Sequence, residues 1–131
     1  MKLKPLFLIL TLLASLSVHA YDFKAINDDG VTIYYNIISS TEPLQVGVTH
    51  QGDDYSTGTP YSGDVKIPET VSYSGQIYSV TSIIGYSFRQ CSKLTSVNIP
   101  ESVTTIEEHA FFDCSSLKSI TIPNSVTTIG T

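Results

Sequence analysis

Val97-Asn98-Ile99-Pro100-Glu101-Ser102-Val103-Thr104-Thr105-Ile106 returns as Ile120-Thr121-Ile122-Pro123-Asn124-Ser125-Val126-Thr127-Thr128-Ile129, 23 residues further along the chain. A self-match at a fixed period of this length marks a repeat architecture, in which each unit buries its apolar face against the next. Working outward, Ile83, Ile106 and Ile129 correspond, as do Phe88 and Phe111, Cys91 and Cys114, Leu94 and Leu117, Val97 and Ile120, and Ile99 and Ile122. All are apolar or cysteine, and most residues between them are Ser, Thr, Asn, Lys or Glu. These positions are the predicted core.

The repeat opens upstream at Val65-Lys66-Ile67-Pro68-Glu69-Thr70-Val71. The step from Pro68 to Pro100 is 32 residues, which is the 23-residue period plus an insertion of nine. Tyr73-Ser74-Gly75-Gln76-Ile77-Tyr78 is read as an extra strand or hairpin spliced into the first coil, and Val80-Thr81-Ser82-Ile83 restores the register. Within a coil, Ser96-Val97-Asn98-Ile99 alternates, so Val97 and Ile99 point inward and Ser96 and Asn98 outward. Pro100 removes a ladder donor and ends the strand. Val103 and Ile106 are expected inward across a tight turn. Glu107 to Phe111 is predicted as a single helical or 3₁₀ turn, with Phe111 as the core plug.

The segment from Tyr21 to Gly63 carries no trace of the repeat. Asp22 to Ile26 and Val31 to Ile38 are β-prone runs around Asn27-Asp28-Asp29-Gly30, which reads as a hairpin. Leu44 to Thr49 is a third candidate strand, and Gly52 to Gly63 has loop composition. Asp28-Asp29 and Asp53-Asp54 lack the spaced oxygen pattern of a calcium loop. Turn chemistry accounts for the first pair and a solvated loop for the second.

The chain has 131 residues. Lys2 and Lys4, an apolar run from Leu6 to Leu16, and Val18-His19-Ala20 have the layout of a secretory signal peptide over 1–20, cut after Ala20. The run is shorter than the roughly 20 residues of a membrane span, so no span is expected after cleavage. Loss of the two lysines moves the formal charge from −5 to −7. An acidic surface repels phosphate backbones, so nucleic acid is not an expected partner.

The pattern Ile-Pro-x-x-Val-x-x-Ile-x-x-x-Ala-Phe-x-x-Cys-x-x-Leu-x-x-Ile, from Ile99 to Ile120, resembles the leucine-rich repeat of BspA-like bacterial surface proteins. The resemblance covers Val65 to Thr131. It departs in the first coil, where Ser87 replaces the alanine and Ile84-Gly85 stands where the next coil has Glu107-Glu108. It implies a solenoid of short parallel strands over 64–131, preceded by a hairpin-rich N-terminal cap over 21–63. It further implies a secreted or cell-surface bacterial protein that binds other molecules, with an extracellular protein or glycan as partner and adhesion as the usual role. A structural spacer within a larger surface protein is the alternative. The family brings no shared catalytic residues, and fold analogy does not fix a ligand.

On the ladder, Asp64, Ser96 and Ser119 are equivalent outward positions, and so are Lys66, Asn98 and Thr121. They form two parallel polar rows, the kind of surface repeat proteins use for recognition. His50 and His109 are not arranged with an acid and a serine in any recognisable pattern, and no phosphate loop or zinc spacing is present, so no enzyme, metal or cofactor is expected. Cys91 and Cys114 recur with the core positions, which favours stacked buried thiols, while rung spacing also permits a disulfide. The last coil stops at Ile129-Gly130-Thr131, so the solenoid is expected to be incomplete at its C-terminus, with an edge open to self-association.

Overall fold

The computed structural model describes residues 21–52 and 61–131. The signal-peptide reading, most of the Gly52–Gly63 loop and the Asp53-Asp54 pair lie outside the described residues.

Strands β1 (Phe23–Ile26) and β2 (Thr32–Ser39) form the predicted antiparallel hairpin, with Phe23 opposite Tyr35 and Ile26 opposite Thr32. Asn27 builds the turn. Its side-chain oxygen accepts from the backbone N–H of Asp29 at 2.9 Å and of Val31 at 2.8 Å. Gly30 follows at φ 80°, a conformation that costs glycine nothing. The Asp28-Asp29 pair is thus part of a side-chain-stabilised turn. β3 (Gln45–Thr49) returns antiparallel to β2, where the third strand was expected.

β3 also pairs in parallel with β6 (Gln76–Ile83), placing Val46 beside Val80 and Val48 beside Ile83. Its far side therefore starts the solenoid. The sheet continues through β8 (Thr105–Ile106) and β9 (Thr128–Ile129), one short parallel rung per coil. A second sheet of β4 (Gly63–Lys66) and β7 (Leu94–Asn98) is extended by a parallel bridge from Asn98 to Thr121. The segment read as a tight turn thus carries a second rung. The N–H of Glu107 donates to the carbonyl of Ile83 at 2.9 Å, and that of Gly130 to Ile106 at 2.8 Å.

The nine-residue insertion is a hairpin. β5 (Thr70–Tyr73) pairs antiparallel with the start of β6 around Ser74 and Gly75, at φ 52° and 77°. Two positive φ values suit a tight turn whose twist matches its strands. The hairpin lies on the cap, with the Tyr73 and Phe23 rings stacked 4.1 Å apart.

The core follows the repeat but fades along it. Ile83, Ile106 and Ile129 are 0%, 4% and 60% exposed. The first is covered on both sides, by β3 and by the next coil, whereas among the described residues Ile129 has a rung on one side only. The same gradient corrects the expectation for Phe111. Phe88 is fully buried and is the core plug; Phe111 is only partly buried and stacks on it at 5.1 Å. The helical turn expected at Glu107 to Phe111 is also absent. His109 and Asp113 sit at φ 55° and 61°, as do their equivalents Tyr86 and Gln90 at 63° and 56°. A left-handed residue every fourth position stops a right-handed helix, so the segment closes in separate turns. In one, Phe112 N–H donates to the His109 carbonyl at 3.1 Å; in another, Ser87 N–H donates to Ile84 at 3.1 Å.

Candidate functional site

The outward face of the second sheet collects most of the polar residues picked out from the sequence. β4–β7 pairing sets Asp64 beside Ser96 and Lys66 beside Asn98, with Val65 and Val97 buried behind them. The Asn98–Thr121 bridge carries the second row into the next coil. Ser119 is exposed but lies outside the ladder pairing.

The two rows differ chemically. The register shifts between Gly63 and Asp64, which leaves Thr95 as an extra residue on β7. Asp64 faces both flanking hydroxyls, and its Oδ1 accepts from Ser96 Oγ at 2.7 Å and Thr95 Oγ1 at 2.8 Å. These bonds hold the Asp64 carboxyl below its ordinary range, with the Ser96 bond contributing most. Asp64 is an exposed carboxylate already engaged within the ladder.

The row of Lys66, Asn98 and Thr121 opens onto a groove. Asn27 donates its side-chain N–H to the Lys66 carbonyl at 2.9 Å, fixing the hairpin turn against β4. Beyond the row each strand ends at an Ile-Pro step, where proline takes the chain out of the sheet. The space left is a groove of about 720 Å³, lined by Asp28, Lys66, Glu69, Asn98 and Glu101 among others. A second depression of about 420 Å³ continues it, sharing Asn98, Ile99 and Glu101 and reaching Thr121 and Pro123. Asn98 thus faces a channel that crosses successive coils. Sequence reasoning found the row and missed the groove, although the recurring Ile-Pro steps were its signal.

Other groups have structural roles. Cys91 is buried, Cys114 is partly buried, and both are free thiols. Burial pushes the Cys91 thiol up to about 11 and also raises that of Cys114. Such thiols are poor nucleophiles and metal ligands. Cys114 Sγ lies 2.9 Å from the Phe88 carbonyl oxygen. His109 stacks on Tyr86, its equivalent one coil earlier, with ring centroids 5.1 Å apart. Among the described residues, no three His, Cys, Asp or Glu side chains gather as a metal site, and no helix is long and apolar enough to cross a membrane.

Residues 64–131 match the family model described as BspA type leucine rich repeat region (6 copies). The chain belongs to the BspA-type leucine-rich repeat family. It is similar in structure to a leucine-rich repeat protein from Bacteroides ovatus, at 36% identity and a TM-score of 0.63, over 81% of this chain and 24% of that one. It is also similar to a leucine rich cell surface protein from Faecalibacterium prausnitzii, at 27% identity and a TM-score of 0.57, over 82% of this chain and 26% of that one. The chain spans about a quarter of the length of these two proteins. No curated protein matches it. In BspA-type terms, β7 and β8 are the two rungs of one repeat, and the ladder row with its groove lies where one rung turns toward the other.

Proposed function

We propose that this BspA-type repeat protein is a secreted or cell-surface interaction module that binds an extracellular protein or glycan in an adhesion-type role. The observation that carries this reading is the groove beside Lys66, Asn98 and Thr121, which crosses coils and offers polar groups from each. Repeat solenoids use such multi-coil surfaces for recognition. The likeness to a cell surface protein of Faecalibacterium prausnitzii supports the location.

The test is an array of extracellular matrix proteins and glycans probed with the full chain and with an Asn98→Arg/Thr121→Arg variant. Loss of the bound spots in a variant with an unchanged circular dichroism spectrum is the expected result. Retention of every spot would assign binding to another face. The alternative is a structural spacer within a larger surface protein, with no ligand of its own; a wholly blank array would support it.

A further inference from the structure

The groove has a charge pattern that the polar row does not explain. Glu69 and Glu101 are equivalent residues of neighbouring coils, one residue beyond Pro68 and Pro100, and both are exposed. Asp28 reaches the same groove from the β1–β2 turn. Neighbouring rungs lie about 4.8 Å apart, and like charges one rung apart repel. Among the described residues, none of these three carboxylates takes part in a hydrogen bond or ion pair. Elsewhere the protein does engage carboxylates: Asp64 accepts two hydroxyl hydrogens, and Glu107 accepts the N–H of Gly85 at 2.8 Å. A concave surface lined mainly by one sign of charge focuses its field and concentrates ions of the opposite sign. Among the described residues, Lys66 is the only cation lining this groove.

Shape narrows the ligand further. The two depressions share Asn98, Ile99 and Glu101 and together reach from Lys66 to Thr121, across successive coils. Asn98 lines both, and its carboxamide offers the donor and acceptor that a peptide bond requires. Polyanions are repelled here, and a neutral sugar has no charge to place against three carboxylates. Resting on the reading that this face binds, we propose that the groove takes an extended peptide segment bearing lysine or arginine side chains. The segment lies along the solenoid axis, its cations against Asp28, Glu69 and Glu101 and its backbone against Asn98.

The experiment is fluorescence anisotropy of the full chain with a labelled peptide of alternating lysine and serine, beside one of alternating glutamate and serine. Only the lysine peptide should bind, and more weakly as salt rises. A Glu69→Gln/Glu101→Gln variant should bind it about five- to tenfold more weakly, the loss of two exposed charge pairs. A Glu42→Gln/Asp113→Asn variant, which removes the same charge outside the groove, should bind it like the parent. Equal weakening in both variants would show attraction to overall charge and overturn the assignment. Absence of lysine-peptide binding would also overturn it. If Asn98→Arg/Thr121→Arg still abolished array binding in that case, the interaction-module reading would stand and only the basic-peptide assignment would fall.

Discussion

The hydroxyl of Ser87 donates to the carbonyl oxygen of Val48 at 2.7 Å, in the buried seam between the last cap strand and the first coil. It also contacts the Ile84 carbonyl, and Ile84 N–H donates to the same Val48 oxygen at 2.9 Å. The equivalent residue one coil later is Ala110, 3% exposed, which packs against a coil instead of a cap strand. The departure from alanine in the first coil therefore belongs to the junction. Ser87→Ala should lower stability by about 1 kcal/mol, because Val48 keeps its backbone partner. The urea midpoint measures this, and an unchanged midpoint would mean that the hydroxyl contributes nothing to the seam.

Phe88 and Phe111 are equivalent in sequence and unequal in burial. Phe88→Ala should cost about 3–5 kcal/mol, the range for emptying an enclosed aromatic site. Phe111→Ala should cost roughly 1–2 kcal/mol, because less of its surface leaves water on folding. Denaturant titration of both variants gives the comparison. Equal losses would contradict the burial gradient along the coils.

Tyr61 ties the cap together through its hydroxyl, which donates to the Thr49 carbonyl at 2.7 Å and accepts from Tyr34 N–H at 3.0 Å. Burial raises its pKa, so the phenol stays neutral and able to donate. Tyr61→Phe leaves a buried carbonyl and an N–H without this partner, at an expected cost of about 1–3 kcal/mol. Slowed exchange of the Tyr34 amide in the parent, lost in the variant, would locate the effect. Equal exchange in both would argue against the bond.

Cys91 gives the fold an alkaline limit. Its folded pKa of about 11 lies above the ordinary thiol value of 9.0, so the folded state holds its proton more tightly than the unfolded chain. The resulting stability is complete below pH 9 and is lost as pH rises toward 11. Two units correspond to a loss on the order of 3 kcal/mol. Cys91→Ala should flatten this part of the stability–pH curve. Urea midpoints across that range, parent against variant, provide the check, and parallel curves would refute it.

The coil was legible because its period is a property of the chain. Stacked coils place residues 23 apart on top of one another, so the inward stripe of Leu94, Val97, Ile99, Val103 and Ile106 could be read from matching letters. The row of Lys66, Asn98 and Thr121 was legible for the same reason, since strand alternation sends residues between buried ones outward. The turns were harder. Tyr86, His109, Gln90 and Asp113 adopt left-handed conformations that their side chains do not demand, and Glu107-Glu108-His109-Ala110 has helix-compatible letters. Closure of the coil overrides that local preference. The groove was harder to see: the recurring Ile-Pro steps mark where each strand leaves the sheet, but the space between them forms only when the coils stack against the β1–β2 turn.

By itself the sequence determined the repeat family, the first hairpin, the nine-residue insertion and the buried face of β4 and β7. These follow from spacing, alternation and turn chemistry, all local or periodic along the chain. Only the tertiary structure decided that β3 pairs with β6, that Ser87 seals that junction, that Phe88 and not Phe111 fills the core, and that Asp28 meets Glu69 and Glu101 at one groove. Each of these depends on which segment lies next to a given coil. Burial and the meeting of charges are set by neighbours in space, and identical repeat letters take different roles where those neighbours differ.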